Sequence, residues 1–393
     1  MNKKYDFETP IDCSGLSRSK WEFEFERKGR DSLLAFGTAD MDFSSPPEVV
    51  SALVETAQKG HFGYPYKKKS YHDAVRDYLK RQFDWDVKPE WIQFSTGVYA
   101  SMQPVIEALS EPGDEIIFQP PVHHIFAELI QANKRVAVEN PLLFDGVTYK
   151  FDFDHLERVI TEKTRMLLLC NPHNPVGRVW TAEELGKLND ICSRRGVRIV
   201  SDEVYNGLLY KGVRFTPMAS LCASASLNTV TLLSASKSFN LTGLKHSLIV
   251  TENEVVREGI AKGQQRSNMY YGGSLFGQVA TEVAFRECDL WRSELMEHVS
   301  ANFECLFSFF GKHFPDLKIC RPESTYFAWI DCSAWQLTRS ELQDFFEERA
   351  NVIVTFGHAL GKGGEGHIRM NLACPKATLT EGLERILSAH QAH

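Results

Sequence analysis

The sequence predicts an α/β fold with a mostly parallel central sheet wrapped by helices, plus a smaller α+β domain. Two observations predict it. The chain has 393 residues, which exceeds the length at which one hydrophobic core usually stops growing, so two domains are expected. The middle of the chain also alternates short apolar runs with helical patterns, and this alternation is typical of parallel strands joined by crossover helices.

Five apolar runs are predicted to form buried strands of the central sheet. Most of them are continuously apolar and do not alternate with polar residues, as expected when a parallel sheet is covered on both faces. The runs are DEIIF (114–118), RMLLLC (165–170), VRIVSD (197–202), TVTLLS (229–234) and SLIVT (247–251).

A crossover helix is predicted between the second and third of these runs, within TAEELGKLNDICSRRG. Thr181 and Glu184 have the spacing of a capping box, in which each side chain satisfies a backbone N–H of the first turn. Gly196 is suited to end the helix, because glycine readily adopts the left-handed backbone that terminates helices.

The two ends of the chain are predicted to form the smaller domain. The larger domain is assigned to 46–288, since Pro46 and Pro47 mark the entry to a helix that begins near Glu48. The smaller domain is assigned to 1–45 together with 289–393, where a long helix is followed by strands. A cleft between two domains is a common ligand site, and we expect the ligand there.

Composition excludes several classes of function. The formal net charge is −7 and no basic block is present, so nucleic-acid binding is not expected. No apolar run reaches membrane-spanning length, and the first ten residues lack the apolar stretch of a secretion signal. The nine cysteines are scattered without metal-ligand spacing, which favours a reducing compartment. We therefore expect a cytoplasmic protein without a metal.

Polar residues follow the predicted strands at their carboxyl ends, where open α/β sheets bind ligands. Asp202 ends VRIVSD, whereas Asn171 and Asn174 follow MLLLC within NPHNPVG. Ser234 and Lys237 follow the run VTLL. Each residue alone has an ordinary explanation as a cap, a turn former or a surface charge. Their common position suggests one site.

This set of residues suits a pyridine cofactor that carries an aldehyde and a phosphate. The Lys237 amine can form a Schiff base with the aldehyde. Asp202 can keep the ring nitrogen protonated, so that the ring accepts electrons from a carbanion. Ser234 and Lys245 can hold the phosphate. The segment STGVYAS (95–101) is a predicted loop-to-helix junction, whose free backbone N–H groups favour an anion.

The motifs NPHNPVG, SDEVY, SASKSFNLTGL and HIRMNLACP resemble, in order and spacing, those of fold-type I pyridoxal 5'-phosphate (PLP) enzymes of the aminotransferase class I/II family. The segments ADMDFSSPPEVVSAL, FGYP, STYFAWID and GEGHIRMNLACPK resemble more particularly the cystathionine β-lyase, or C–S lyase, branch. The resemblance implies the PLP-dependent transferase fold (type I) and PLP as the cofactor.

The resemblance also implies residue roles at the cofactor ring. Lys237 is the expected Schiff-base lysine and moves the proton at the substrate's α-carbon. Asp202 is expected to pair with the ring nitrogen, and Asn174 with Tyr205 to hydrogen-bond the ring's 3′-oxygen. Arg369 is expected to bind the substrate's α-carboxylate, a task suited to a planar bidentate donor.

A second set of roles concerns the phosphate and the assembly. Ser234, Lys245 and the backbone at Val98 and Tyr99 are expected to hold the phosphate. Tyr64 is expected to reach this site from a second subunit and to take part in catalysis. The resemblance thus implies a homodimer with shared active sites.

Some positions depart from the C–S lyase pattern. His123, in PPVHHIF, stands where an aromatic residue usually covers the ring; imidazole can stack with less area and can titrate near neutrality. Tyr205 stands where that branch often has histidine and where aminotransferases usually have tyrosine. Gly37 and Thr38 precede ADMDF in a region expected to touch substrate. The residues expected near the substrate's side chain are Gly37, Tyr64, His124, Tyr270 and Tyr271.

The motifs leave more than one reaction open, because removal of the α-proton by Lys237 begins both elimination and aminotransfer. The overall resemblance favours a C–S β-lyase that converts L-cystathionine or a related S-substituted cysteine to a thiol, pyruvate and ammonia. The alternative is an aminotransferase acting on an amino acid and a 2-oxo acid. A regulatory or binding protein is a third hypothesis, against which the presence of Lys237, Asp202 and Arg369 argues.

Overall fold

The computed structural model describes residues 4–269 and 273–392. Its centre is a seven-stranded sheet. From one edge to the other, the strands are Ile92–Ser95, Ser247–Val250, Thr229–Leu233, Arg198–Asp202, Thr164–Cys170, Glu115–Phe118 and Val136–Glu139.

The sheet is mostly parallel, as predicted. Only Ser247–Val250 runs antiparallel to its two neighbours, whereas the other neighbouring strands pair in parallel. All five predicted runs form strands of this sheet. The edge strands Ile92–Ser95 and Val136–Glu139 were not predicted, because neither has a long apolar run.

Both faces of the sheet are buried. Met166 and Leu168 pack into one hydrophobic core, whereas Leu167 and Leu169 of the same strand pack into a second core on the opposite face. Successive side chains of a strand point to opposite faces, so a strand covered on both sides has to be apolar at every position.

The predicted crossover helix is confirmed as Ala182–Arg194. Thr181 accepts a hydrogen bond from the backbone N–H of Glu184, and the Glu184 side chain accepts one from the backbone N–H of Thr181. Gly196 follows the helix with a φ of 69°.

A second, four-stranded antiparallel sheet lies in the C-terminal part, in the order Lys318–Cys320, Phe327–Asp331, His367–Asn371 and Thr355–Phe356. Near the N-terminus, Leu34–Ala35 pairs in parallel with Val352–Ile353. Phe36 lies in the core beneath this second sheet, whereas Met41 and Phe43 lie in a core of the large sheet. The N-terminal segment thus contacts both units, and the domain boundaries at 46 and 288 stay a prediction.

The remaining elements surround the two sheets. Within the described part of the chain, the α-helices are Glu22–Lys28, Pro47–Gln58, Lys69–Phe83, Val98–Leu109, Ile125–Ala132, Phe153–Val159, Ala182–Arg194, Ala223–Asn228, Glu254–Arg266, Leu275–Glu287, Asp289–His313, Arg339–Asp344 and Lys376–Gln391. Leu143–Phe144 and Tyr149–Lys150 form a small antiparallel hairpin. None of these helices combines the length with the apolar character that a membrane crossing requires.

Candidate active site

Two adjoining cavities lie at the carboxyl edge of the large sheet, with volumes of about 1090 Å³ and about 250 Å³. They share His123, Lys237 and Lys245 in their walls. Many of the site residues predicted from the sequence line one or both cavities: Gly37, Thr38, Val98, Tyr99, His123, His124, Asn174, Asp202, Tyr205, Lys237, Lys245 and Arg369.

Lys237 lies in the turn that follows Thr229–Leu233 and is partly buried. The Nζ atom donates a hydrogen bond to the carbonyl oxygen of Ala39 at 2.7 Å. Burial lowers the pKa of Lys237 to about 8, because desolvation disfavours the charged form more than the nearby Asp40 carboxylate favours it. The amine is therefore partly neutral near physiological pH, as a nucleophile or a base has to be.

Asp202 is the last residue of its strand and is 4% exposed. Its Oδ1 atom accepts a hydrogen bond from the backbone N–H of Val204 at 3.2 Å. Burial raises the pKa of Asp202 to about 7. A cation placed beside this carboxyl would favour its ionised form, so the site suits a positively charged ring nitrogen.

Arg369 lies on the strand His367–Asn371 of the second sheet and is held on several sides. Its Nη1 donates to Oδ1 of Asn174 at 2.9 Å, and its Nη2 donates to the Gly37 carbonyl oxygen and to Oγ1 of Thr355, both at 3.0 Å. The guanidinium lies 4.1 Å from the ring centroid of Phe327. These contacts fix the orientation of the planar group at the wall of the cavity.

The Arg369 Nε atom is buried and has no hydrogen-bond partner among the described residues. A buried N–H group without an acceptor destabilises the folded protein unless water or a ligand accepts its hydrogen bond. The contact between Arg369 and Asn174 was not predicted, since the sequence places the two residues on different sheets.

Tyr205 is buried beside Tyr326, with 6.0 Å between their ring centroids. Burial raises the pKa of Tyr205, so its hydroxyl stays protonated and able to donate. Tyr326 donates to the Ala39 carbonyl oxygen at 3.0 Å, the same oxygen that accepts from Lys237. Sequence reasoning missed Tyr326, although it lies within the quoted motif STYFAWID.

The predicted phosphate end lies at the start of helix Val98–Leu109. Gly97 precedes the helix with a φ of 144°, a conformation that side chains rarely adopt. The first N–H groups of a helix form an anion site. The Ser234 hydroxyl lies within the turn, where it donates to the His246 carbonyl oxygen at 2.7 Å and accepts from the backbone N–H of Ser236 at 3.1 Å.

His123 contacts two rings. Its centroid lies 5.4 Å from that of Tyr99 and 4.4 Å from that of His124, and the two histidine rings are stacked. Burial lowers the pKa of His123 to about 2, and the positive charge of Arg369 adds to this shift. His123 is therefore neutral at physiological pH and does not titrate near neutrality.

Tyr64 lies away from both cavities of its own chain and is 98% exposed. It belongs to a segment between two helices in which Phe62 and Tyr66 are also exposed. His124 lines the larger cavity, as expected. Tyr270 and Tyr271 lie outside the described residues.

The residues present fit a pyridoxal phosphate. The smaller cavity places a buried carboxyl, a partly neutral amine and a helix N-terminus around one space of about 250 Å³. A ring nitrogen, an aldehyde and a phosphate are the groups that these three features suit. Arg369 lines the adjoining larger cavity, where a substrate carboxylate would enter.

This fold and this donor set define the fold-type I class of PLP-dependent enzymes, and the fold predicted from the sequence is confirmed. The chain belongs to the aminotransferase class I and II family, whose model matches residues 31–386. The match covers both sheets and every cavity-lining residue named above.

Individual relatives agree with this assignment. The chain is 36% identical to cystathionine beta-lyase PatB of Bacillus subtilis over 377 residues, which cover 95% of this chain and 97% of the relative. The structure is similar to that of cystalysin from Treponema denticola, which contains pyridoxal 5'-phosphate (TM-score 0.95, 30% identity, 99% of both chains). It is also similar to the PLP-bound C–S lyase of Staphylococcus hominis (TM-score 0.91, 28% identity, 99% of this chain and 98% of that chain).

Proposed function

We propose that the protein is a PLP-dependent C–S β-lyase that cleaves L-cystathionine or a related S-substituted cysteine to a thiol, pyruvate and ammonia. The observation that carries the proposal is the Lys237 amine, whose pKa is lowered to about 8, in a cavity that it shares with Arg369. The similarity to cystathionine beta-lyase PatB and to a C–S lyase supports elimination over aminotransfer.

The proposed cofactor site uses residues from three strand ends. Lys237 would hold pyridoxal 5'-phosphate covalently, Asp202 would face the ring nitrogen, and Asn174 and Tyr205 would donate to the ring's 3′-oxygen. The start of helix Val98–Leu109 would receive the phosphate. When bound, the cofactor delocalises the negative charge that remains on the substrate's α-carbon after its proton is removed.

Arg369 and Lys237 would have different roles toward the substrate. Arg369 would bind the α-carboxylate, because its guanidinium is oriented by Asn174 and Gly37 before substrate arrives. Lys237 would remove the α-proton once its amine is free. The pKa of Lys237 is close to the working pH. A sufficient fraction of such an amine is neutral, and the neutral amine is still basic enough to take the proton.

Expulsion of the thiolate follows removal of the α-proton. A thiolate is a good leaving group, so the bond between Cβ and sulfur would break as charge builds on the α-carbon, and Lys237 would pass its proton to the departing sulfur. The remaining 2-aminoacrylate, once released, reacts with water to give pyruvate and ammonia. In aminotransfer the same proton would be delivered to the cofactor, so the outcome depends on whether the substrate carries a leaving group at Cβ.

The test uses the purified protein and the visible absorption of its bound cofactor. L-cystathionine offered alone is expected to yield pyruvate together with a free thiol. Exchange of amino groups between an amino acid and a 2-oxo acid, without pyruvate from L-cystathionine, would replace the lyase with the aminotransferase. Lys237→Ala is expected to abolish turnover and to change the absorption band; a band unaltered by that substitution would refute the cofactor assignment.

We also propose a homodimer with shared active sites. Exposed aromatic side chains at Phe62, Tyr64 and Tyr66 support an interface there, because such clusters are typical of protein–protein contacts. Lys237→Ala and Tyr64→Ala homodimers are each expected to have little activity. Mixed dimers, formed by unfolding and refolding the two together, are expected to regain activity through sites that have both native residues. Two inactive variants that stay inactive after mixing would contradict the shared site.

A cytoplasmic location is part of the proposal. The nine cysteines, all within the described residues, form no disulfide, as is usual for proteins of reducing compartments. Fractionation of cells of the source organism would test it, and recovery of the protein from an extracytoplasmic fraction would overturn it.

A further inference from the structure

The larger cavity has a second cationic residue on the wall formed by the N-terminal segment. The Arg18 side chain is 24% exposed, and its guanidinium lines this cavity together with Lys237 and Arg369. Its Nη2 donates to Oδ2 of Asp40 at 2.6 Å, and its Nη1 contacts Sγ of Cys13 at 3.7 Å. A guanidinium has five N–H donors. Contacts with the described residues therefore leave donors available to a ligand.

Arg18 is connected directly to the reacting end of the site. Its partner Asp40 follows Ala39, whose carbonyl oxygen accepts the hydrogen bond from Lys237. The ion pair with Asp40 restrains the guanidinium through Nη2. Arg18 thus lines the same cavity as Lys237 and is linked to its surroundings through Asp40.

The carboxylates of Asp40 and Glu24 both line this cavity, and each is paired with an arginine. Asp40 pairs with Arg18, and Glu24 pairs with Arg27, both at 2.6 Å. Arg369 makes three hydrogen bonds to the protein and serves the α-carboxylate in the proposed function. Arg18 is therefore the group suited to a second anionic group of the same substrate.

We propose that Arg18 binds a carboxylate on the sulfur substituent of the substrate. The enzyme then prefers S-substituted cysteines whose leaving group carries a carboxylate over S-alkylcysteines. The distal amino-acid end of L-cystathionine provides such a carboxylate. This inference rests on the proposed lyase function. The contact lies away from the bonds that change, so it binds ground state and transition state alike and acts mainly on KM.

The test compares two substrates of equal length, S-(2-carboxyethyl)-L-cysteine and S-propyl-L-cysteine. In Arg18→Gln, the ratio of their kcat/KM values is expected to fall about tenfold, through a higher KM for the acidic substrate. Arg30→Gln is the matched control, because Arg30 is also ion-paired in the N-terminal segment, with Glu348, and neither of these two residues lines the cavity. The ratio in this control is expected to equal that of the native protein.

Two results would overturn the inference. One is an unchanged ratio in Arg18→Gln. The other is an equal loss on both substrates, which would mean that Arg18 acts on the reacting end through Asp40. Failure of the lyase function is recognised separately, since the native protein would then release thiol from neither substrate. In that case the dissociation constants of the two compounds are measured by titration of the cofactor's visible absorption. Their ratio replaces the ratio of kcat/KM values and tests the inference in the same way.

Discussion

The chemistry of Lys237 follows from the competition between burial and neighbouring charge. Burial favours the neutral amine, as does Arg369, whereas Asp40 and Asp202 favour the ammonium. The balance lowers the pKa of Lys237 to about 8. Because desolvation is the largest contribution, this shift depends on the folded cavity and disappears when the chain unfolds.

We therefore expect Lys237 of the cofactor-free protein to react with an amine-acylating reagent with a midpoint near pH 8. Below this pH the amine is protonated and unreactive, and above it the neutral amine predominates. Peptide mass spectrometry after labelling at a series of pH values measures the midpoint. In the urea-unfolded chain the midpoint should rise to the ordinary lysine value, about 10.4. Identical midpoints in folded and unfolded chains would contradict the burial argument.

His123 is predicted to cover the cofactor ring as a neutral imidazole. Because its pKa is lowered to about 2, replacing it by tyrosine changes ring area without changing charge. A larger stacked ring strengthens the contact by about 0.5–1.5 kcal/mol, so His123→Tyr should lower the cofactor's dissociation constant about two- to tenfold. Absorption titration of the cofactor-free variant measures it. An unchanged constant would mean that His123 does not stack on the ring.

Sequence reasoning succeeded where a residue's position along a strand decides its location. Lys237, Asp202 and Asn174 each follow a buried apolar run, and parallel strands bring such residues to one edge. Tyr326 was missed, because its contact with Ala39 depends on how the second sheet packs against the first. The location of Tyr64 in an assembly cannot be derived from one chain, since it depends on a second subunit.

Residues 322–327, which lead into the strand Phe327–Asp331, form hydrogen bonds to two loops that follow strands of the large sheet. The backbone N–H groups of Glu323 and Ser324 both donate to the Gly177 carbonyl oxygen. The Ser324 hydroxyl donates to the Leu208 carbonyl oxygen at 2.7 Å. Gly177 has a φ of +74°, and a Cβ there would lie 2.8 Å from Cβ of Pro322, so glycine is required. This segment sets the position of Phe327 beneath Arg369.

Glu323→Gln tests this coupling. The Glu323 carboxylate accepts from Arg178 at 2.8 Å and from the backbone N–H of Val179 at 2.8 Å. Removal of its charge should lower the free energy of unfolding by about 1–2 kcal/mol in urea unfolding. We also expect a rise in KM, because Phe327 and Arg369 lose their fixed position.

Glu184→Gln is the control for Glu323→Gln. Glu184 pairs with the same Arg178 at 2.9 Å, but its hydrogen bonds and its ion pair go to Arg178 and Thr181 and not to residues 322–327. A similar loss of stability with an unchanged KM is expected in this control. If both variants raised KM equally, the effect would belong to Arg178 and not to the segment.

At the level of elements, apolar runs predicted the interior strands but not their directions. Ser247–Val250 is as apolar as the parallel strands of the sheet and yet runs antiparallel to both of its neighbours. A strand that is buried on both faces is apolar whether it runs parallel or antiparallel to its neighbours, so an apolar run does not predict the direction of the strand. Val136–Glu139 was missed because it is an edge strand with two exposed positions.

The whole molecule is connected by its N-terminal segment, which contacts the cores of both sheets. Leu34–Ala35 pairs with Val352–Ile353, and the assignment of both termini to one smaller unit stays a prediction. The contacts of Met41 and Phe43 with the large sheet could not be predicted, because the segment has no helical or strand periodicity there.

Stability of the whole chain should depend on a carboxyl group that the proposed reaction does not use. Glu203 is fully buried, and its Oε1 accepts from the Ser201 hydroxyl and the Met218 backbone N–H, both at 2.9 Å. Its Oε2 has no partner among the described residues. Burial raises the pKa of Glu203 to about 8, so the folded state favours the protonated acid.

The sign of the pH dependence follows from linkage. In the unfolded chain Glu203 ionises near its ordinary pKa, about 4.3, whereas in the folded chain it stays protonated up to about pH 8. Its contribution to stability is therefore present in full below about pH 4 and is lost as the pH rises towards 8. Glu203→Gln keeps a neutral group of the same shape and has no proton to lose.

The difference in unfolding free energy between Glu203→Gln and the native protein should therefore increase between pH 5.5 and pH 8.5, by on the order of 3 kcal/mol. Urea unfolding of the cofactor-free proteins at the two pH values measures this difference, and the charge of Asp202 raises the pKa of Glu203 in the same direction as burial does. Glu162→Gln, at an exposed position, should show a difference that does not vary with pH. A pH-independent difference for Glu203→Gln would show that Glu203 ionises in the folded state as it does in the unfolded chain, and that the buried site stabilises the carboxylate.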